Sequence, residues 1–311
     1  MRNKIKEAIE YIKYTRVGYL FLPLFLYALL ALSNLLNTLL FNSSNALIIV
    51  FLPLSFGLPL LLWAHIRGKD RVISSLKINL PKKEDILPLI LALVFISSAS
   101  VLLTMLFARD SYLDISIYNT FLASKNKGFF RGIYSIFAFA LLPAVAEELF
   151  FRGFLRSELE KNGRIASVLI SSLFFSLIEF SFARLPVYFF IGVVLSVVLY
   201  ATDSIICALI LRVCYNLFAL FALPLLVSIK DVSANSELLV FILLLVAIGS
   251  LILLCLKISK LYSSRAKEEP QAAHRSIPWD RLPMIFGDVL LSLPALCSYI
   301  LFLITSIICL I

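Results

Sequence analysis

Uninterrupted apolar stretches of close to twenty residues recur along this chain, and they leave few folds open. A helix rises ~1.5 Å per residue, so about twenty residues cross ~30 Å of hydrocarbon. The stretches read as Val17–Leu40, Ala46–His65, Ile86–Phe107, Gly132–Phe151 and Ile165–Phe182, then a short sixth at Pro186–Ala201, followed by Ser204–Val227, Leu238–Leu256 and Met284–Ile311. Inside lipid every backbone amide must find its partner within the protein, so stretches of this kind become helices. The expected fold class is all-α: a polytopic transmembrane helical bundle of nine spans, with eight as the alternative. Composition agrees, since only 15% of the 311 residues are charged and 61% are hydrophobic. Soluble domains carry roughly a quarter charged residues, and a chain this depleted is not one of them.

The basic residues set the orientation. Arg2 to Arg16, Arg67 to Lys83, Arg152 to Arg164 and Lys257 to Arg281 fall in alternate connections. The opposite side holds only Arg109, Lys125, Lys127, Arg131, Arg184 and Lys230, and the excess places the N-terminus in the cytoplasm. The connection from Arg109 to Arg131 fits that side poorly and is expected along the membrane interface. A net charge of +9 spread through short connections speaks for membrane orientation and against nucleic acid. The basic N-terminus leads into the first stretch without a small-residue cleavage site and reads as a retained span. Three parts follow: 1–131, a basic segment and three spans; 132–227, a core of four spans; and 228–311, two spans with a basic cytoplasmic loop. The expected location is the plasma membrane of a prokaryote.

Ionisable groups inside spans are costly, roughly 2.5–3.5 kcal/mol each, and usually face a bundle interior or a cavity. Here they gather in the core. Glu148 and Arg152 stand four apart with the acid first, the favourable helical pairing. Glu147 lies about 100° round the helix from Glu148, so one arginine does not serve both. Phe175 and Glu179 share a face of the next span, and Arg212 and Asn216 share a face of another. A buried Arg212 needs a carboxylate, for which Glu179 and Glu147 are the candidates. Three acids and two arginines then close one nearly neutral network. Such a network is either a functional site or a device that fixes helix register.

Weaker features read as structural. The five cysteines, Cys207, Cys214, Cys255, Cys297 and Cys309, lack metal or disulfide spacing and read as small buried hydrophobes. His65, His274 and Asp288 read as interfacial. Asp203 is expected to cap the following helix. Ser167, Ser171, Ser172, Ser176, Gly192 and Ser196 are expected to allow close helix packing.

The run Glu147-Glu148-Leu-Phe-Phe-Arg152-Gly153-Phe154-Leu155 resembles the first motif of the CPBP family, the CAAX proteases and bacteriocin-processing intramembrane endopeptidases. Phe175 to Glu179 resembles the family's second motif, Phe-x-x-x-His, and Arg212 to Asn216 its third, His-x-x-x-Asn. The resemblance runs from about Gly132 to Val227. It implies that Glu147 is the general base, that Glu148 and Arg152 orient it, and that Asn216 donates to the oxyanion. Glu179 and Arg212 stand where the family has histidines. Two outcomes are chemically open: Arg212 serves as an oxyanion donor while Glu179 and Glu147 share a proton, or a Glu179–Arg212 ion pair plugs the site.

The resulting expectation is a diverged CPBP-type endopeptidase acting on a membrane-associated peptide or protein in the lipid bilayer, with no cofactor. A metal is possible beside the carboxylates, without the histidines zinc prefers. The alternatives are a silent pseudoprotease that binds a membrane peptide or partner, in bacteriocin immunity or regulation, and a small carrier that uses the same charges. The carrier would show a repeat or a broken helix, and no repeat is visible.

Overall fold

The computed structural model describes residues 18–41, 46–108, 129–226, 236–268 and 282–310. All regular structure among them is helical. The long helices are α1 (Gly18–Leu40), α2 (Leu47–Arg67), α4 (Lys83–Phe107), α5 (Gly132–Asn162), α7 (Leu185–Thr202) and α9 (Ser236–Glu268), all six long and apolar enough to span a membrane. Between α2 and α4 lies the short α3 (Lys69–Ser75). The core also holds α6 (Arg164–Ser176) and α8 (Ile205–Phe221), of 13 and 17 residues, shorter than the ~20 of a full crossing. The chain ends in α10 (Leu282–Leu290) and α11 (Leu293–Leu310), a pair bent by 62° that passes as one span when taken together. The short sixth stretch is a full span, α7, whereas the fifth and seventh are the two short helices. The connection 109–128, the N-terminal basic segment and His274 lie outside the described residues.

Burial separates two kinds of helix face. Leu238, Phe241, Ile242, Leu245, Ile248 and Ile252 of α9 are exposed, as are Leu32, Leu35 and Leu39 of α1. A band of this size would be untenable in water and is the normal exterior of a protein in hydrocarbon. The inward faces are aromatic: Phe56 of α2 meets Phe150 and Phe151 of α5 at 5.9 and 6.3 Å, and Trp63 meets Phe154 at 5.2 Å. Tyr27 of α1 donates to the Phe174 carbonyl at 2.6 Å and stacks on that ring, tying the first span to α6.

The small residues allow close packing as expected. A Cβ on Gly192 of α7 would stand 2.9 Å from Ser172 Cβ and 3.2 Å from Phe175 Cδ1. Only glycine lets α7 approach α6 this closely. The cysteine expectation is corrected in part: Cys207 is buried, Cys214 and Cys297 are partly so, and Cys255 is exposed on the outward face of α9. All four are free thiols.

At one end of the bundle the segment after α3 folds back over the helix termini. Lys77 and Asp203 both adopt left-handed backbone, φ 52° and 49°, and their side chains pair at 2.6 Å. The Lys77 carbonyl accepts from Ile205 N at 3.1 Å, and Asn79 Nδ2 donates to the Asp203 carbonyl at 2.8 Å. Asp203 is therefore not the cap of α8. Ser204 is, accepting from Cys207 N at 3.3 Å while its hydroxyl donates to the Asn79 carbonyl. Left-handed backbone ends α7 at Asp203, and the extended φ/ψ that an N-cap requires falls one residue later.

Candidate active site

The acidic pair sits on a specially built stretch of α5. Pro143 removes one backbone donor, and the regular turns of Leu142–Glu148 are flanked by two wide π-type turns, Phe137–Leu141 and Leu149–Leu155. Such widenings recur at functional positions because they re-aim side chains without ending the helix. Glu147 and Glu148 are both buried, and their divergence sends them to different partners. Glu148 meets Arg152 on its own helix, Oε1 to Nη1 at 3.1 Å. That contact is an ion pair in distance but lacks hydrogen-bond alignment. Arg152 also donates from Nη2 to the Gly192 carbonyl at 3.2 Å, and its Cζ lies 4.3 Å from the Phe175 ring centre.

Glu147 reaches across to α8. Arg212 donates to its Oε2 from Nε at 2.8 Å and from Nη2 at 2.5 Å. Aromatic faces surround the guanidinium: Phe175 at 5.1 Å, Tyr188 at 5.6 Å and Tyr215 at 5.8 Å from Cζ. Arg212 Nη1 is buried and has no protein acceptor. One turn on, Asn216 donates from Nδ2 to the Ala140 carbonyl at 3.1 Å, fastening α8 to the wide turn of α5.

Glu179 does not pair with Arg212. Helix α6 tightens into a 3₁₀ turn at Leu177–Glu179, and Phe180 turns left-handed at φ 45°. Glu179 emerges at the helix end and pairs with Arg184 at 3.0 Å, at the start of α7. The ion pair expected to plug the site is thus corrected, because the α6 terminus carries Glu179 toward Arg184. The single network becomes three acid–arginine pairs. Arg184, which reads in the sequence as a connecting-loop residue, is brought to the site by the turn between α6 and α7.

Glu147, Glu179, Arg184, Arg212 and Asn216 line one cavity of about 190 Å³, together with Thr104 of α4 and the rings of Tyr188 and Tyr215. Glu148 and Arg152 are not among its lining residues; Glu148 pairs with Arg152, which in turn contacts Phe175 and the Gly192 carbonyl. Four of the six sequence-derived site residues therefore face a common space, and two support it. Among the described residues no group of three or more His, Cys, Asp or Glu is placed to hold a metal ion.

Residues 129–218 match the family described as type II CAAX prenyl endopeptidase Rce1-like. Over those residues the chain is similar to that family. The match takes in all of α5, α6 and α7, and α8 as far as Phe218, so every residue of the cavity except Thr104, Ala108, Ala219, Leu220 and Leu223 lies within it. No curated protein and no solved structure matches the chain. The apolar helices, together with this match, point to an integral membrane protein.

Proposed function

We propose that the Rce1-like core is an intramembrane endopeptidase that hydrolyses a peptide bond in the cavity, with Glu147 as the water-activating base. The observation that carries this reading is the convergence of Glu147, Arg212 and Asn216, from helices far apart in sequence, on one cavity. Amide hydrolysis needs a base for water, donors for the oxyanion and a proton for the leaving amine. Both Arg212 donors fall on Oε2 of Glu147, and Oε1 receives neither. Arg212 thereby orients the base, as the third group does in other base-assisted sites.

In the proposed reaction, Glu147 takes a proton as the water oxygen bonds to the carbonyl carbon. The carbonyl oxygen gains the negative charge and accepts from Arg212 Nη1 and from the second N–H of Asn216. Collapse of this intermediate breaks the carbon–nitrogen bond, and the proton on Glu147 passes to the amine. Glu148 and Arg152 position the α5 turn.

The test is hydrolysis by the purified protein in nanodiscs, offered a mixture of membrane peptides that includes prenylated CAAX-like and double-glycine-leader sequences. Cleavage that disappears in Glu147→Gln supports the proposal. Wild-type protein that binds peptides without cutting them sinks it.

One observation favours a second reading. By resemblance, Glu179 and Arg212 occupy the two histidine positions, and Arg212 clasps the proposed base with two hydrogen bonds. A clasp of that kind also suits a silent binding protein acting in bacteriocin immunity or as a regulatory subunit. Glu179→His combined with Arg212→His separates the two, because hydrolysis gained by the double variant marks a scaffold that had lost its chemistry.

A further inference from the structure

Two arginines face the same cavity with different commitments. Arg212, 3% exposed, lies at its floor, held by Glu147 and enclosed by Phe175, Tyr188 and Tyr215. Its Nη1 is left without an acceptor in the protein. Arg184, 23% exposed, lies at the rim, and its partner Glu179 is 18% exposed. The rim pair stands on the short turn between α6 and α7, where Phe180 has φ 45°. Arg184 is also the N-cap residue of α7, an 18-residue helix whose first amides favour negative charge.

The charged groups lining the cavity are Glu147, Glu179, Arg184 and Arg212, which balance. An anion entering beside both pairs would unbalance them, whereas an anion that replaces Glu179 on Arg184 would not. Glu179 is the carboxylate able to leave, because its side chain is already partly exposed at the mouth. The cavity, about 190 Å³, is smaller than the ~300–1,000 Å³ of pockets that enclose a whole drug-sized ligand. It has room for a short end of a chain, and a chain end carries a carboxylate.

We propose that the mouth of the cavity is a carboxylate-recognising subsite, in which Arg184 exchanges Glu179 for the C-terminal carboxylate of a bound peptide. Arg212 Nη1 then donates to a backbone carbonyl of the same peptide at the floor. Arg184 is a specificity residue and Glu179 is its placeholder, held on the arginine until a substrate arrives. Guanidinium matches a carboxylate with parallel donors, and that geometry distinguishes an acid from an amide. This inference rests on the reading of the cavity as a peptide site.

The test uses full-length protein in nanodiscs of uncharged lipid and one short apolar peptide, fluorescently tagged at its N-terminus. It is made in two forms that differ only in a C-terminal carboxylate or carboxamide. Anisotropy should show the acid bound about tenfold more tightly than the amide, the worth of one charge-assisted hydrogen bond. Arg184→Gln should erase the difference, Arg184→Lys should keep part of it, and Glu179→Gln should widen it. Equal binding of the two forms by wild type, failure to bind the acid, or an undiminished preference in Arg184→Gln overturns the proposal. Acid preference without any cleavage supports the subsite and removes the endopeptidase reading. Equal cleavage of both forms does the reverse.

Discussion

Arg212 and Glu147, 65 residues apart in the chain, are joined by two hydrogen bonds that converge on a single carboxylate oxygen. The pair crosses from α8 to α5, is almost wholly buried, and fastens together two helices that both contribute to the cavity. Its consequences for stability and for chemistry are separable.

Replacing Glu147 alone leaves a guanidinium buried without a counter-charge. Breaking a buried pair from one side costs about 3–5 kcal/mol, whereas replacing both partners with apolar groups of similar volume is often close to neutral. Thermal unfolding in detergent should therefore show Glu147→Leu and Arg212→Met each clearly destabilised, and the double variant recovering most of the loss. Additive losses would mean that the pair contributes no coupling.

Activity should separate from stability at Glu147→Gln, which keeps a hydrogen-bond acceptor for Arg212 but removes the proposed base. Hydrolysis is expected to fall by at least ~100-fold, the scale of a general-base contribution, while the protein still purifies as a folded species. Retained cleavage would exclude Glu147 as the base.

Two glycines that look alike in the sequence should respond differently to alanine. At Gly192 the new methyl would meet Ser172 Cβ at 2.9 Å and its backbone Cα at 3.0 Å, neither of which yields without moving a helix. At Gly153 the close neighbour, at 2.5 Å, is the Cδ2 atom of Leu76, the end of a side chain that has other rotamers. Gly192→Ala should cost ~1–3 kcal/mol by overpacking and disturb Phe175, with activity falling alongside. Gly153→Ala should cost less. Unfolding midpoints measured side by side check the order, and a reversal would mean that α7 shifts more readily than its contacts suggest.

The bracket at the bundle end offers a further comparison. Ser204→Ala removes an N-cap acceptor and a bond to the Asn79 carbonyl, and should lower stability by about 1 kcal/mol or somewhat more. Lys77→Ala removes an ion pair whose acid is 48% exposed, a kind of contact that contributes ~0–1 kcal/mol. Lys77 also stands at φ 52°, so Lys77→Gly should recover in backbone ease part of what it loses in charge. Denaturant midpoints for the three variants test this ordering.

Much of this protein is a consequence of local sequence. Stretches of apolar residues become helices because hydrocarbon offers no other partner for the backbone. The pairing of Glu148 with Arg152 follows from helical periodicity alone, since residues four apart share a face. The divergence of Glu147 from Glu148 follows from the same geometry, and so does the need of Arg212 for an acid elsewhere. The tertiary structure decided which acid. Glu147 and Glu179 are equivalent candidates by type, and the choice turned on where α6 ends. A tight turn at Leu177–Glu179 and a left-handed Phe180 carry Glu179 away to Arg184. Spacing does not encode that turn's direction, and so Arg184 reads in the sequence as one more connecting charge. The capping of α8 by Ser204 in place of Asp203 has the same origin, a left-handed residue that moves the helix start by one position. Periodicity fixes which residues share a helix face, but the ends of helices and the partners across them depend on how neighbouring helices pack, and the cavity joins residues from the middle of α5 and α8 to residues from the ends of α6 and α7.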